Sequence, residues 1–508
     1  MNNSSKILDI EKLVEEVKRI KQGNKKIVLC HGCFDLLHIG HIRHFRQAKQ
    51  SGDILVVTIT PDFYVDKGPG RPAFSEELRL EAIASLDIVD YVSINKWPTA
   101  EKTIRLIEPD FYAKGSEFGG GKSDYTGKIA EEINAIQDVG GQMVFTEDIV
   151  FSSTNLINRF LKNSSEEMRE YFTLFSQRYS IEDIHNVIDK MADLKVLVIG
   201  DAIIDDYHYC EAIGKSSKDP VMALKYKSND LFAGGVLAVA NHLSSFVKQI
   251  ELYTVLGGVD SQEAFIRKKL SPNVEPHFVF HPDAPTIVKR RFIDSCSFNK
   301  LLEIYIMNGN DLPDELDSKL CEFVGKDLEK YDLVVAADFG HGAISKNMIE
   351  ILCNQSPYLA VNTQANAGNR GFHTITSYKK ADFVSLAEHE IRLETRDLIG
   401  PLRGQIDKVA NQMDCQTFIV TRARRGCLIR GKNGTFVSVP SLSSKVVDKV
   451  GAGDAFFSLT ALASVLGVAE ELIGFLGNVA GSLAVESIGN QTPTDKMSIK
   501  KYITTLLK

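Results

Sequence analysis

Short runs of aliphatic and β-branched residues alternate with amphipathic segments along most of the chain. Near the N-terminus the runs KIVLC, DILVVTIT, DYVSI, DFYAKG and QMVFTED are separated by segments such as HIRHFRQAKQ, SEELRLEAIASL and GKIAEEINAIQ, in which apolar residues recur at helical spacing. Strands that alternate with helices in this way form parallel sheets with crossover helices. A second series opens at KVLVIGD and continues to the C-terminus, so the pattern predicts an α/β chain with two sheets.

The same pattern predicts how the chain is divided. Residues 1–160 are expected to form one α/β domain, residues 161–193 a charged, helix-compatible connector, and residues 194–508 a second α/β domain. A chain of 508 residues exceeds one ordinary domain, so at least two cores are expected. The sequence shows no low-complexity tract and no repeat of fixed period.

Composition narrows the class of protein. Apolar residues make up 44% and charged residues 25%, which is typical of globular domains, and the net charge of -7 argues against nucleic-acid binding. No stretch reaches about 18 uninterrupted apolar residues, and the start lacks the apolar core of a signal peptide. Eight cysteines are too few for a disulfide scaffold in a chain of this length. We therefore expect a cytoplasmic protein with no membrane partner.

The first candidate site follows the strand KIVLC, where the string HGCFDLLHIGH (residues 31–41) leads directly into a helix. His38 and His41 flank Gly40 at this strand-to-helix turn, where helix N-terminal amides favour anions and glycine lets a phosphate approach the backbone. Two imidazoles there can donate to phosphate oxygens while charge accumulates on the α-phosphorus, which is electrostatic catalysis without a protein nucleophile. The alternative is that both histidines only cap and pack the turn.

This stretch resembles the HxGH nucleotidyltransferase superfamily, which includes cytidylyltransferases and sugar-phosphate adenylyltransferases. The resemblance implies a Rossmann-like domain in which the string KGPGRP, residues 67–72, is the basic loop over the triphosphate and the acceptor phosphate. The catalytic residues that it implies are His38, His41 and Lys67. The nucleotide-binding residues that it implies are Gly32, Phe34, Asp35, Gly40, Lys114, Ser152, Ser153 and Thr154. Acceptor binding is expected of Arg71 and Arg79.

Two further patterns in this region are interpreted as structural. Cys30 and Cys33 form a CxxC motif, but a zinc site needs a second ligand pair at suitable spacing, and the sequence offers none. The stretch from Gly115 to Ser123 has five residues between its first glycine and GKS, whereas a P-loop has four. We therefore predict packed cysteines at a turn and a glycine-rich loop beside the acceptor site.

The second candidate site lies near the C-terminus in the string VDKVGAGDAFF, residues 447–457, which an apolar helical pattern follows. Small residues at a helix N-terminus expose backbone N–H groups to a transferring phosphoryl group. Asp454 is placed to take the proton from the attacking hydroxyl. The sequence therefore combines an anion hole with a base, although a GAGD string alone can be a simple turn.

This string resembles the closing signature of the ribokinase (PfkB) family of sugar kinases, and the resemblance extends over roughly residues 195–508. It implies a ribokinase-like α/β domain with a small β lid, in which Asp454 is catalytic. The nucleotide-binding residues that it implies are Thr421, Gly426, Gly451, Ala452, Gly453 and Asn478. The substrate-binding residues that it implies are Asp201, Asp205, Gly234, Gly235 and Asp338. Glu388 is expected to organise magnesium through water.

The chain also departs from the usual pattern of related kinases in that family. Ala238 stands where an asparagine is usual, Asn362 replaces the aspartate of Asp-Pro-Lys, and Ser385 replaces the asparagine of the motif that ends at Glu388. Lys449 replaces the threonine that follows the first aspartate of the closing signature. We therefore expect a sugar pocket that differs from a heptose pocket.

Together the two halves resemble the bifunctional heptose 7-phosphate kinase/heptose 1-phosphate adenylyltransferases, but with the domain order reversed. The resemblance implies synthesis of a nucleotide-activated sugar, with ATP for the kinase, CTP or ATP as nucleotidyl donor, and Mg²⁺ at both sites. It implies sugar, sugar phosphate and nucleotide partners and a homodimer or higher homo-oligomer. Two alternatives remain: a transferase whose kinase-like domain only binds sugar or dimerises, and a non-enzymatic nucleotide sensor.

Overall fold

The computed structural model describes residues 5–68, 70–116, 128–146, 166–308, 312–369, 371–442 and 446–508. It divides into two compact units. The first comprises Met1–Arg178 together with Lys500–Lys508, and the second comprises Tyr179–Ile499. The domain boundaries that the sequence placed near residues 160 and 194 stay predictions.

The first unit is built on one parallel sheet. Its strands are β1 (Ile27–Gly32), β2 (Ile54–Ile59), β3 (Tyr91–Ile94), β4 (Phe111–Gly115) and β5 (Gln142–Thr146). Its described helices are α1 (Ile10–Lys21), α2 (Ile39–Lys49), α3 (Glu76–Ala84), α4 (Glu101–Ile107), α5 (Lys128–Asp138) and α6 (Glu166–Arg178). The strand order is β3-β2-β1-β4-β5, so the direction of winding reverses beside β1. This is the Rossmann-like arrangement that the sequence predicts, and ligands of such sheets bind at this reversal.

Both faces of this sheet are covered, as its strand sequences indicate. Along β1, Val28 and Cys30 pack into one buried cluster with Phe45, whereas Ile27 and Leu29 pack into another. A parallel sheet with crossover helices on both faces has strands that read as continuous apolar runs. The chain leaves this core at Gly32, so the residues that follow β1 lie at the carboxyl edge of the sheet.

The second unit contains the remaining strands and most of the remaining helices. The strands are β6 (Val196–Lys215), β7 (Met222–Gly235), β8 (Ile250–Gly257), β9 (Val274–His281), β10 (Ile287–Asp294), β11 (Lys300–Ile306), β12 (Leu333–Asp338), β13 (Leu359–Thr363), β14 (Ala381–Ala387), β15 (Cys415–Thr421), β16 (Cys427–Arg430) and β17 (Phe436–Val439). The described helices are α7 (Ile181–Lys190), α8 (Val236–Ser244), α9 (Glu263–Lys269), α10 (Asp314–Gly325), α11 (Lys346–Gln355), α12 (Glu388–Thr395), α13 (Leu402–Gln412), α14 (Ala452–Val465), α15 (Glu470–Ala484) and α16 (Lys496–Leu507). From Lys500 onward, α16 groups with the first unit.

The long strand β6 belongs to two layers of this unit. Its first residues pair in parallel with β8 and β12 in the central sheet. Its later residues pair antiparallel with β7 and parallel with β10, which in turn pairs with β11. The smaller layer made by β7, β10, β11 and the end of β6 is the β lid that the sequence predicts, and the ribokinase-like fold class is confirmed.

Two further properties concern the helices and the cysteines. Across the described ranges, no helix combines the length and the apolar character needed to cross a membrane. All eight cysteines are free thiols, and six of them are buried.

Candidate active sites

His38 is the N-cap residue of α2, at the turn that follows β1. Its Nδ1 accepts a hydrogen bond from the backbone amide of Gly40 at 3.1 Å. A neutral imidazole whose Nδ1 accepts must carry its proton on Nε2. That Nε2 is buried and has no hydrogen-bond partner among the described residues. His38 therefore holds an unused N–H donor, and the amide of Gly40, predicted to face phosphate, is used by His38.

The second histidine of the motif lies directly over the first. The rings of His38 and His41 are stacked with centroids 3.9 Å apart. Burial, and after it the charges of His38, His44 and Lys67, lowers the pKa of His41 to about 3. Burial also lowers the pKa of His38. Both imidazoles are therefore neutral near pH 7 and can act on phosphate as hydrogen-bond donors rather than as cations.

The residues between the two halves of the motif fix the turn. Phe34 has a φ of +47°, and a side chain at Gly32 would meet its ring at 3.0 Å. The carboxylate of Asp35 accepts a 2.6 Å hydrogen bond from the amide of Ala73 and lies 3.3 Å from the Nε of Arg71. The predicted basic loop is thus tied to the turn through Asp35.

Arg79, predicted to bind the acceptor, is fully engaged with protein groups. It donates to the carbonyl oxygens of Phe74 at 3.0 Å, Cys33 at 2.5 Å and Thr60 at 2.9 Å, and to a carboxylate oxygen of Asp62 at 2.5 Å. All three guanidinium nitrogens take part, and the side chain is only 1% exposed. Arg79 therefore braces the loops around the turn, and contact with an acceptor would require these bonds to break.

Two other lysines reach the same region. The charge of Lys67 contributes to the low pKa of His41, so Lys67 lies close to the histidine pair. Lys114 at the end of β4 lies 3.0 Å from the buried carboxylate of Glu132, and its charge, after burial, lowers the pKa of His44. Of the remaining predicted residues, Ser152, Ser153 and Thr154 lie outside the described residues. Their nucleotide-binding roles stay predictions, as do the roles of the other predicted site residues of the first unit.

The CxxC cysteines have the surroundings of packing residues. Cys30 is fully buried within β1, and burial raises the pKa of its thiol. Burial likewise raises the pKa of Cys33. A thiol held in its protonated form is a poor metal ligand and a poor nucleophile.

The second site lies at the N-terminus of α14. Gly451 is the N-cap residue with a φ of +82°, and a Cβ there would lie 1.9 Å from the Oδ1 of Asn490. Ala452 begins the helix, and a Cβ at Gly453 would meet no atom within 4 Å. Position 453 of this first turn therefore borders open space. The amide of Ala452 donates to the carbonyl oxygen of Lys449 at 3.5 Å, so the amides that follow it are the ones that could meet an anion.

Asp454 lies in that first turn, close to a second carboxylate. Burial, and after it the charge of Asp205, raises the pKa of Asp454 to about 7, while the charge of Lys289 opposes the rise. The carboxylate of Asp205 pairs with Arg291. A Cβ at Gly234 would lie 2.3 Å from the Oδ2 of Asp205. The structure thus brings together Asp454, Asp205 and Gly234, which the sequence assigned to one pocket.

Lys289 is a residue of this site that the sequence did not reveal. It lies on β10, is only 4% exposed, and places its ammonium 5.1 Å from the ring centroid of Tyr305 and 5.8 Å from that of Phe339. Burial lowers the pKa of Lys289. With its neighbours Arg290 and Arg291, Lys289 forms a basic run that is typical of a solvent-exposed strand. Nothing in the sequence therefore distinguishes Lys289 from an ordinary surface lysine.

Two of the predicted substrate ligands act as braces. The carboxylate of Asp201 accepts hydrogen bonds from three backbone amides in the loop after β12: Phe339, His341 and Ala343. Asp338 accepts a 2.7 Å hydrogen bond from the hydroxyl of Tyr378 and lies 2.7 Å from the Nε2 of His373. A Cβ at Gly235 would lie 2.4 Å from the Asp201 carbonyl oxygen. These contacts shape the pocket, and the predicted sugar contacts of Asp201 and Asp338 stay predictions.

Two of the predicted nucleotide ligands, Thr421 at the end of β15 and Asn478 within α15, donate to backbone carbonyl oxygens. The side-chain amide of Asn478 donates to the carbonyl oxygen of Pro440 at 2.9 Å. The hydroxyl of Thr421 donates to the carbonyl oxygen of Leu386 at 3.4 Å. Gly426 has a φ of +73°, as the turn from β15 to β16 requires. Both side chains are thus engaged by backbone, and their predicted contacts with nucleotide stay predictions.

The residues present fit a magnesium ion that arrives on a nucleotide. Glu388, the predicted ligand through water, is paired with Arg425 and lies 2.9 Å from the Nη2 of Arg392. Within the described ranges no cluster of three or more His, Cys, Asp or Glu side chains could hold a metal. Mg²⁺ needs only one or two carboxylates when phosphates and water complete its shell. Asp454 supplies one such carboxylate beside the anion hole, whereas Asp205 is already paired with Arg291.

Comparison with known proteins matches both units. A family model described as pfkB family carbohydrate kinase matches residues 193–497, and one described as cytidylyltransferase-like matches residues 29–159. A ribokinase from Thermotoga maritima is 17% identical, with a TM-score of 0.50 over 61% of this chain and 99% of its own. Phosphofructokinase-2 from Escherichia coli in complex with potassium is 15% identical, with a TM-score of 0.51 over 62% and 99%. These similarities show the fold of the second unit.

Relatives named "Bifunctional protein HldE" also match. The protein from Aliarcobacter butzleri is 34% identical over 165 residues, 32% of this chain and 32% of the relative. The protein from Sulfurimonas denitrificans is 37% identical over 138 residues, 27% and 29%. The protein from Syntrophotalea carbinolica is 24% identical over 322 residues, 61% and 63%. The chain thus matches about a third of the length of the first two relatives.

Proposed function

The chain belongs to the pfkB family of carbohydrate kinases and carries a cytidylyltransferase-like domain before the kinase, and from this premise we propose that it makes a nucleotide-activated sugar. The second unit phosphorylates a sugar or sugar phosphate with ATP. The first unit transfers CMP or AMP from CTP or ATP to a sugar phosphate and releases pyrophosphate. The relatives named as bifunctional support this pairing of activities.

One observation supports the proposal above all: each unit places a reactive side chain at a helix N-terminus. His38 caps α2 with its free donor on Nε2, and Asp454 lies in the first turn of α14 next to Gly453, whose Cβ position borders open space. Helix N-termini bind phosphate through free amides and the helix dipole. Two such termini with different reactive groups suit two different phosphate reactions.

In the kinase reaction, Asp454 takes the proton of the acceptor hydroxyl, and that oxygen attacks the γ-phosphorus of ATP as ADP leaves. A carboxylate with a pKa near 7 is well matched to this task, because it is ionised in part and still basic. The amides at Gly453 and its neighbours stabilise the charge that develops on the transferring group. Lys289 adds a positive charge beside the base.

In the transferase reaction, an oxygen of the sugar phosphate attacks the α-phosphorus of the nucleotide, and pyrophosphate leaves. Its nucleophile is already ionised, so no protein base is needed. His38 donates from Nε2 to the phosphate oxygens, the ring of His41 stacks against that of His38, and Lys67 neutralises the developing charge. When bound, Mg²⁺ would neutralise phosphate charge at both sites.

Location and assembly complete the proposal. Eight free thiols and the sequence composition support a cytoplasmic enzyme. The lid exposes several large apolar side chains: Ile213, Met222, Tyr226, Phe298, Leu302 and Ile304. Exposed apolar surface of this kind supports a homodimer or higher homo-oligomer.

A second candidate keeps only the transferase, with the kinase unit as a sugar-binding or dimerisation module. Asn362 stands where related kinases have an aspartate. Its side-chain amide donates to the carbonyl oxygen of Ser385 on β14 at 2.7 Å, so the side chain is used within the sheet. Ala238 adds no polar group to α8, and Glu388 is shared by two arginines. These features favour a weakened kinase site.

The deciding experiment follows both products of the full chain. Each NTP is incubated with sugars and sugar 1-phosphates, and ADP and pyrophosphate are measured separately. We expect pyrophosphate with one sugar 1-phosphate and ADP with one sugar or sugar phosphate. Pyrophosphate without ADP from any acceptor would establish the second candidate instead, and release of neither product would refute both.

A further inference from the structure

The last nine residues of the chain, Lys500–Lys508, belong to the first unit, far in sequence from the rest of it. They form most of α16, in which Tyr502 and Ile503 are at most 1% exposed. A chain segment whose apolar side chains are buried in this way is held in place by packing. Its contacts fall on the loop that carries Lys67.

Tyr502 packs against the residue that follows Lys67. Gly68 has a φ of +88°, and a Cβ built on it would lie 2.1 Å from Cδ2 and 2.6 Å from Cε2 of Tyr502. The ring therefore occupies the space that any other residue at position 68 would need. Such close contact fixes the backbone on the C-terminal side of Lys67.

Lys501 holds the residue that precedes Lys67. Its Nζ donates to the Oδ2 of Asp66 at 2.9 Å, and the two side chains are only 20% and 36% exposed. The charge of Lys501 also acts, after burial, on Lys128 at the start of α5, whose pKa is lowered. Both neighbours of Lys67 are thus held by consecutive residues of α16.

We infer that Lys501 and Tyr502 are positioning residues for nucleotidyl transfer, because they hold the loop that aims Lys67 at the developing phosphate charge. The inference rests on the proposed function of the first unit. A lysine on a glycine-containing loop loses conformational entropy when it is ordered, and α16 meets that cost before the substrate binds. The segment Lys500–Lys508 therefore contributes to nucleotidyl transfer by positioning Lys67.

The first test uses Lys501→Met in the full chain, with Lys508→Met as the matched control, since Lys508 is an exposed lysine of the same segment. We expect kcat for pyrophosphate release to fall about five- to ten-fold with Lys501→Met and less than about two-fold with Lys508→Met, as expected for a group that aligns a catalytic charge. ADP formation by the second unit reports folding and is expected to stay unchanged. Equal pyrophosphate rates in both variants would overturn the inference.

The second test asks whether the effect passes through Lys67. Tyr502→Ala is expected to lower pyrophosphate release at least about ten-fold, whereas Tyr502→Phe keeps the ring and the rate. In a Lys67→Ala background, Tyr502→Ala is expected to have little further effect, because residues that act as a unit are not additive. A full additional loss in that background would show a merely structural role and contradict the inference.

The third test needs no substrate and stands even if the proposed transferase activity fails. Trypsin cleaves after lysine, and cleavage at Lys67–Gly68 reports how firmly the loop is held. Mass spectrometry of brief digests should show cleavage there about ten-fold faster in Tyr502→Ala than in Tyr502→Phe. Equal cleavage in the two variants would refute the positioning role. Absence of pyrophosphate from the wild type would refute only the proposed function.

Discussion

The turn before α2 and the turn before α14 are built alike but leave their reactive groups in opposite chemical roles. Burial favours the neutral form of an ionisable group in both places. At α2 this lowers the pKa values of His38 and His41, so both remain neutral hydrogen-bond donors near pH 7. At α14 it raises the pKa of Asp454 to about 7, so the carboxyl group titrates near neutrality. One physical effect thus gives a fixed donor in one unit and a tunable base in the other.

The largest effect is expected from removal of the base. Asp454→Ala should lower ADP formation about 10²- to 10⁴-fold, the range that general-base catalysis contributes, and leave pyrophosphate release from a supplied sugar phosphate unchanged. The assay is the separate measurement of ADP and pyrophosphate from one preparation. Equal loss of both products would contradict two independent sites.

The corresponding change at the other turn is expected to be smaller. His38→Ala should lower pyrophosphate release about 10²- to 10³-fold, the usual cost of losing one donor to a developing oxyanion. ADP formation should remain at the wild-type rate in the same preparation. Cys33→Ser is the matched control, because Cys33 lies in the same turn and its side chain has no proposed role. Wild-type pyrophosphate release by the His38→Ala enzyme would show that His38 only caps the helix.

The two turns should also separate by pH. Asp454 acts when deprotonated and has a pKa of about 7, so ADP formation should fall about ten-fold for each pH unit well below 7. His41 has a pKa of about 3 and stays neutral through this range, so pyrophosphate release should be nearly flat between pH 6 and 8 on its account. Rate profiles at saturating substrates test both expectations. Parallel profiles would contradict the contrast between the turns.

Lys289 sharpens the comparison because its charge opposes the rise in the pKa of Asp454. Lys289→Met should lower ADP formation about ten-fold through lost stabilisation of phosphoryl charge. It should also move the acidic limb of the ADP profile to higher pH, because the carboxylate loses a nearby cation. A lowered rate of ADP formation with an unchanged acidic limb of its pH profile would show that Lys289 does not affect the pKa of Asp454.

Local sequence signals predicted the architecture and the two turns, because they depend on residues that are near one another in the chain. Alternation of strands and helices gave both sheets, and the strings that contain His38 and Asp454 fall at the helix starts expected of them. What the sequence could not show depends on contacts across the fold. Arg79 is a brace because it bonds to Cys33, Thr60 and Asp62 on other segments, and Lys289 is buried beside Tyr305 and Phe339, which follow it in the chain. Tyr502 meets Gly68 across 434 positions of sequence, which no local pattern records.

The smallest effect is expected at Glu388, the first residue of α12, which lies outside both turns and is the predicted magnesium ligand of the kinase unit. Its carboxylate is already shared by Arg392 and Arg425, so most of its charge is neutralised within the protein. Glu388→Gln should therefore change the magnesium concentration that half-saturates ADP formation by less than about three-fold, since Mg²⁺ takes most of its ligands from phosphate and water. Magnesium titration of ADP formation at fixed ATP measures this. A ten-fold higher magnesium requirement would instead mean that the two arginines release Glu388 when nucleotide binds, and the metal role implied by the sequence resemblance would stand.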